Sequence, residues 1–104
     1  MRPASALLAA CGLLASFAAP AQPAGRAVYE AVCIACHAVE NVMVSAPKLG
    51  DRKAWQERSE RAGGMQGLVR NAAQGFGAMP PKGGRDDLSE AQLRAAIRYM
   101  QLAD

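Results

Sequence analysis

The sequence predicts an all-α fold of three to five short helices joined by loops, and three observations support this prediction. Apolar residues recur at helical spacing in residues 26–36 and again in residues 87–104. Residues 76–85 contain three glycines and two prolines, a composition that neither a regular helix nor an inner strand accommodates. No segment alternates apolar and polar residues in the way that a half-buried strand does.

The first two predicted helices lie on either side of a loop. The first covers residues 26–36, and the loop occupies residues 41–50. Asp51 is a suitable N-cap for a second helix over residues 52–61, because its carboxylate can accept hydrogen bonds from the first backbone N–H groups of the helix. The glycine pair at 63–64 is expected to end this helix.

The last two predicted helices are amphipathic. The third places its apolar residues on one face and ends at Gly75. The last helix begins after Ser89, and Gln92 three residues later suits a capping box with it. Four residues form its apolar stripe: Leu93, Ala96, Ile97 and Met100.

Residues 1–21 are typical of a secretory signal peptide that is cleaved from the mature protein. Arg2 precedes an apolar run that is shorter than the roughly 20 residues needed to span a membrane. The small-x-small pattern that ends at Ala21 predicts cleavage there, with Ala24 as the second choice. The remaining residues 22–104 are expected to form a single exported, periplasmic domain without a membrane anchor.

Cys11 leaves a second interpretation of the N-terminus open. The sequence Leu8-Ala9-Ala10-Cys11 resembles the lipobox of bacterial lipoproteins, in which the cysteine carries a lipid anchor. The apolar stretch continues past Cys11, which favours a cleaved signal in which this cysteine is only a small apolar residue.

The composition of the mature domain limits its partners and its means of stabilisation. It carries 11 Lys and Arg against 9 Asp and Glu, a net charge of +2 that is too small and too mixed to indicate nucleic-acid binding. Domains of this size bury little apolar surface and often depend on a metal or a cofactor. A bound group of that kind is therefore expected.

The motif Cys33-Ile34-Ala35-Cys36-His37 predicts covalent attachment of one haem. Two cysteines three positions apart on a helix lie on one face, about 5–6 Å from each other. Their thiols can therefore add to the two vinyl groups of one porphyrin, and His37 can bind the iron from the same side. An exported chain agrees with this prediction, because haem of this type is attached outside the cytoplasm.

Three other interpretations of the two cysteines are weaker. A thioredoxin-like redox pair requires a βαβ pattern, which this sequence lacks. A disulfide between Cys33 and Cys36 would close a very short loop and stabilise the fold little. A structural zinc site requires four ligands, and this segment offers three.

The sixth iron ligand has to come from a residue other than histidine, because the sequence contains one histidine. Met79 is favoured, since the glycines before it allow close backbone approach and the two prolines after it keep it extended. Met65 and an open position are the alternatives. Met100 is expected in the core as part of the last apolar stripe, and Met43 is too close to His37 in sequence to reach the other face without strain.

A haem iron held by histidine and methionine indicates electron transfer rather than enzymatic catalysis. The soft thioether favours Fe(II), and two filled axial positions keep small molecules from the iron. The predicted function is a periplasmic carrier that passes single electrons between redox protein partners. An electron-entry subunit of a larger complex is the first alternative, and a haem enzyme or sensor with an open sixth position is the second.

The combination of motifs resembles the bacterial class I cytochromes c, and most closely the cytochrome c5 group. The likeness covers residues 25–100. It rests on Gly25-x-x-x-Tyr29, Cys33-Ile34-Ala35-Cys36-His37-Ala38, Ala46-Pro47-Lys48-Leu49-Gly50-Asp51, Trp55, Ala78-Met79-Pro80-Pro81-Lys82-Gly83-Gly84, Asp87-Leu88-Ser89 and Tyr99-Met100. The resemblance implies a class I cytochrome c fold wrapped around one covalent haem.

The resemblance also assigns roles within the site. Cys33 and Cys36 would form the thioethers, and His37 and Met79 would be the axial ligands. Two further residues complete the site: the carbonyl of Pro47 would accept a hydrogen bond from His37, and the indole N–H of Trp55 would donate to a propionate.

Further implications of the resemblance concern the packing and the surface. The first helix would cross the last at Gly25, with Tyr29 against Ile97. Many relatives in the cytochrome c5 group have a second cysteine pair after the methionine loop, where this chain has Arg85-Asp86-Asp87-Leu88 and therefore a less braced loop. From the residues themselves, we expect that three cations could ring the haem edge and steer an acidic partner: Lys48, Lys82 and Arg85.

Overall fold

The structure is a computed structural model that describes residues 21–103. The helices found in it confirm the predicted all-α class. In chain order they are α1 (Ala21–Val28), a π-helical turn (Tyr29–Cys33), α2 (Ile34–His37), α3 (Arg52–Ala62), α4 (Met65–Gln74), a 3-10 turn (Pro81–Gly84) and α5 (Glu90–Leu102). Residues 1–20, which include Cys11, lie outside the described part, so the signal peptide and its cleavage remain predictions.

The first helical segment differs from its prediction in length and regularity. It runs from Ala21 to His37 rather than over residues 26–36, and it changes geometry at the π turn. There the N–H of Ile34 donates to the carbonyl of Tyr29, five residues earlier. The apolar spacing did not reveal this wider turn, because the same residues also fit a regular helix.

The crossing of α1 and α5 depends on the absence of a side chain at Gly25. A Cβ built there would overlap the carbonyl oxygen of Ala95 and would lie 2.9 Å from the Cβ of Tyr99. One turn further along, the ring of Tyr29 lies 5.5 Å from the ring of Tyr99 and belongs to the same buried cluster as Ile97. The close helix contact expected at Gly25 and Tyr29 is therefore present.

Local side-chain chemistry sets the ends of α3 and α5 as predicted. The carboxylate of Asp51 accepts a hydrogen bond of 3.1 Å from the N–H of Ala54, and Gly63 ends α3 in the left-handed conformation. Ser89 and Gln92 form a reciprocal capping box, with hydrogen bonds of 3.1 and 2.8 Å. These caps fix where each helix starts relative to the loops that carry the site.

The buried apolar residues come from the first segment, α3, α4, α5 and the turn before α5, and they surround a cleft rather than a solid centre. The most buried are Tyr29, Trp55, Leu68, Val69, Ala72, Leu88, Leu93, Ala96, Ile97 and Met100. Among the described helices, none is long and apolar enough to cross a bilayer.

Candidate haem site

His37 is the last residue of α2, and its orientation is fixed by a hydrogen bond to the following loop. The side chain is 8% exposed, and its Nδ1 lies 2.7 Å from the carbonyl oxygen of Pro47. Because a carbonyl oxygen only accepts, Nδ1 carries the hydrogen and donates it. The lone pair of Nε2 is then available for a metal. The hydrogen bond that the family resemblance implied is present.

The ring of His37 also packs against Trp55. The two ring centroids lie 5.7 Å apart with the planes inclined by 20°. The indole N–H of Trp55 donates to the backbone carbonyl of Lys48 at 2.9 Å. This bond occupies the donor that the resemblance assigned to a propionate, so stacking on His37 is the contact that Trp55 makes with the site in this structure.

The electrostatic surroundings keep the imidazole of His37 neutral. Burial lowers its pKa most strongly, and the positive charges of Lys48 and Arg58 lower it further, whereas the hydrogen bond to Pro47 acts in the opposite direction. A neutral imidazole is the form that binds a metal.

The two cysteines of the motif are half-buried and unbonded to each other. Burial raises the pKa of the Cys33 thiol to about 11, the opposite of what an attacking thiolate requires. Within residues 21–103, no group of three His, Cys, Asp or Glu side chains is placed to hold a metal ion. The raised pKa of Cys33 does not favour a thioredoxin-like pair.

Met79 is presented by a tight hairpin turn. The N–H of Phe76 donates to the carbonyl of Met79 at 3.0 Å, and the N–H of Met79 donates back at 2.9 Å. At Gly75, where φ is +87°, a Cβ would lie 3.1 Å from both Met79 O and the ring of Pro81, so only glycine fits without a shift. These contacts hold Met79 partly buried against the core.

One cleft with two lobes joins the haem-motif segment to the methionine loop. The two lobes share five lining residues: His37, Ala72, Met79, Ile97 and Met100. Cys33 and Cys36 line the first lobe, and Trp55 with two arginines lines the second. An apolar cleft with paired thiols at one end and cations at the other matches a haem. The vinyl groups at one edge of a haem can react with the thiols, and the propionates at the other edge can pair with the cations.

The other methionines differ from Met79 in position. Met43 is 90% exposed, which removes it as a ligand in this structure. Met65 packs against the core but does not line the cleft. Met100 lines both lobes as part of the buried stripe of α5, which suits packing against a porphyrin.

The three cations that we expected to steer a partner are engaged within the protein. Lys48 donates to the carbonyls of Cys36 and Val44 at 2.9 and 2.8 Å. Lys82 donates to the carbonyl of Asp86 at 3.2 Å. The guanidinium of Arg85 forms two hydrogen bonds of 2.8 Å with Asp87. Carbonyl acceptors leave the charges of Lys48 and Lys82 in place, whereas the charge of Arg85 is paired with that of Asp87. A steering role for these cations stays a prediction.

Sequence reasoning missed three polar residues that line the second lobe, namely Arg58, Arg61 and Asn71. A signal for two of them was present. Trp55, Arg58 and Arg61 follow one another at intervals of three on α3, which places them along one face.

The fold and the site together define a small all-α haem-binding protein. Residues 20–100 match the profile of the family described as "Cytochrome C oxidase, cbb3-type, subunit III". Cytochrome c5 of Ectopseudomonas mendocina is 46% identical over 68 residues, covering 65% of this chain and 76% of the relative. Cytochrome c-555 of Chlorobaculum tepidum is 42% identical over 102 residues, covering 92% and 91% of the two chains.

A solved structure agrees with these relatives. A chain from the "Crystal structure of electron transfer complex of nitrite reductase with cytochrome c" superposes with a TM-score of 0.64 at 44% identity, covering 76% of this chain and 91% of the other. The chain therefore belongs to the bacterial class I c-type cytochromes, close to cytochrome c5. It is a small cytochrome of electron transport and carries covalent haem c at Cys33 and Cys36.

Proposed function

We propose that this cytochrome is a periplasmic carrier of single electrons whose haem iron is held by His37 and Met79. The observation that carries the proposal is that these two side chains come from different segments of the fold and line the same cleft. His37 offers an unshared Nε2, and Met79 offers a thioether on a braced turn. A bound haem would supply a one-electron iron couple, and His37 and Met79 would hold its iron.

The remaining side chains of the cleft support electron transfer rather than catalysis. The only histidine of the chain is engaged with Pro47, so no second imidazole is available as a distal acid or base. The cleft is lined mainly by apolar residues, which keep water from the iron and favour the less charged Fe(II) state. A periplasmic location rests on the predicted signal peptide and on haem attachment outside the cytoplasm.

The proposed partners are redox proteins. The structural neighbour is a cytochrome c in an electron transfer complex with nitrite reductase. That complex supports protein-to-protein electron transfer as the task of the present chain. Of the three expected steering cations, only Arg85 is paired with a carboxylate, that of Asp87. Lys48 and Lys82 donate to neutral carbonyls and keep their charges.

Methionine substitution tests the ligand assignment. We expect Met79→Ala to lose the far-red charge-transfer absorption of an iron–methionine bond, to lower the reduction potential, and to let carbon monoxide bind the reduced iron. Met43→Ala is the matched control, because that side chain is exposed, and should behave as the wild type. Loss of the absorption in Met65→Ala instead would move the ligand to Met65, and ready carbon monoxide binding by the wild type would refute a filled sixth position.

A second candidate function is that of an electron-entry subunit within a larger complex. The description of the matched family as an oxidase subunit favours it. Purification from the native membrane and periplasmic fractions without detergent separates the two functions. A free carrier is recovered alone from the periplasm, whereas a subunit co-purifies with its complex.

A further inference from the structure

Lys48 anchors the loop that supports His37 through both its side chain and its main chain. Its ammonium donates to the carbonyls of Cys36 and Val44 at 2.9 and 2.8 Å. Its own carbonyl accepts from the indole of Trp55 at 2.9 Å and from the N–H of Asp51 at 3.1 Å. Lys48 thus ties the loop to the haem-attachment helix on one side and to the start of α3 on the other.

The residues on either side of Lys48 hold His37 directly. We call residues 47–49 the histidine strap. The carbonyl of Pro47 accepts from the ring of His37 at 2.7 Å, and the N–H of Leu49 donates to the backbone carbonyl of His37 at 2.8 Å. The strap therefore hydrogen-bonds both the ring and the main chain of His37, and the hydrogen bonds of Lys48 fix the position of the strap.

The charge of Lys48 is not neutralised where it lies. The side chain is half-buried, its two acceptors are neutral carbonyls, and within residues 21–103 no carboxylate forms an ion pair with it. Its ammonium is hydrogen-bonded to the carbonyl of Cys36, the residue before His37, which holds the charge close to the imidazole. A positive charge in that place disfavours the more positive oxidation state of a metal bound by the imidazole.

We infer that Lys48 is a positioning residue for His37, which fixes the imidazole plane through the histidine strap and raises the reduction potential of the iron by its retained charge. This inference rests on the proposed ligation by His37. The inference assigns an internal role to Lys48 in place of the steering role expected from sequence, since its ammonium donates two hydrogen bonds to backbone carbonyls.

Substitution at position 48 separates the charge from mere packing. Lys48→Met keeps most of the length of the side chain but removes the charge and both hydrogen bonds. It should lower the potential and shift the low-spin EPR g values that report the imidazole plane. Lys48→Arg retains charge and donors and should restore most of the potential. Lys53→Met, at an exposed lysine on α3, is the matched control and should match the wild type. Unchanged potential and g values in Lys48→Met would overturn the inference, as would a potential in Lys48→Arg as low as in Lys48→Met.

A measurement on the unaltered haem-loaded protein covers the case in which these variants fail to fold. Ammonium protons held by two carbonyls exchange with water slowly, so the ¹⁵N-detected ammonium signal of Lys48 should exchange about tenfold or more slowly than that of Lys53. Equal exchange rates would refute the anchoring of Lys48. This result is independent of the methionine experiment, since the iron can retain both proposed ligands while Lys48 is free.

Discussion

Adding one methyl group at Gly25 tests whether the contact between α1 and α5 is as close as the structure shows. A Cβ at this position would overlap the carbonyl oxygen of Ala95, lie 2.7 Å from its carbonyl carbon and lie 2.9 Å from the Cβ of Tyr99. The first two atoms belong to the backbone of α5, so no side-chain rotation relieves the overlap. The helices have to separate, and α5 carries four residues that line the haem cleft.

Two opposing effects determine the stability of Gly25→Ala. Alanine favours a helix over glycine by about 1 kcal/mol. Overpacking typically costs about 1–3 kcal/mol and lies at the upper end where the backbone itself is in the way. The net result should be a loss of about 1–2 kcal/mol, which for a domain of this size lowers the melting temperature by roughly 4–16 °C.

Thermal unfolding of the haem-loaded protein, followed by far-UV circular dichroism, measures this change. Ala27→Ser, an addition of one heavy atom at an exposed position of the same helix, is the control and should change stability by less than about 0.5 kcal/mol. Soret circular dichroism should change in Gly25→Ala alone, because α5 packs against the cofactor. A Gly25→Ala protein as stable as the wild type, or more stable, would show that helix propensity dominates and that the crossing is looser than described.

Three further predictions concern capping, pH and the cofactor. Ser89→Ala removes the capping box and should destabilise the protein by about 1 kcal/mol in guanidinium titrations. Ser45→Ala, at an exposed serine, is the control and should not change the stability. Equal unfolding midpoints for Ser89→Ala and the wild type would contradict the cap. The guanidinium of Arg85 lowers the pKa of Asp87 from 3.8 to about 2, so this pair contributes stability above pH 3.8 that is lost as the pH falls towards 2. Asp87→Asn should flatten the pH dependence of the melting temperature in that window, and an unaltered profile would argue against the pair. Cys36→Ser should leave a largely unfolded chain by circular dichroism, because the buried residues surround the cleft that the haem fills. A cooperative thermal transition of the Cys36→Ser protein would contradict this dependence on the haem.

Local chemistry explains which parts of the fold were predictable from sequence. The capping box of Ser89 and Gln92 and the cap at Asp51 involve residues within one helical turn, so residue type and spacing determine them. The haem motif is equally local, because three positions within five consecutive residues supply both thiols and one imidazole. The hydrogen bond between His37 and Pro47 joins residues ten positions apart, and the family resemblance rather than the spacing led to it.

Tertiary contacts explain the side-chain contacts that the sequence did not reveal. A lysine in a loop is expected to be a solvated charge, and the sequence contains no sign that the carbonyls of Cys36 and Val44 converge on Lys48. The indole of Trp55 likewise meets a backbone carbonyl of the neighbouring loop, which competes with any propionate for its single hydrogen. Every residue carries a backbone carbonyl, so residue types do not show where such acceptors lie. The fold determines their positions.

The π turn at Tyr29–Cys33 sets the register between two functional faces. Because its hydrogen bond joins residues five apart, this turn holds about one residue more than an α turn, and the helix continues beyond it in nearly the direction of a regular helix one residue shorter. Regular α winding of the same residues would instead rotate the cysteines and His37 by about 100° relative to Gly25, and the helix crossing and the haem motif could no longer both face their partners. The wider turn therefore lets one continuous helical segment serve both faces, and the exposed Ala31 within it should accept substitution.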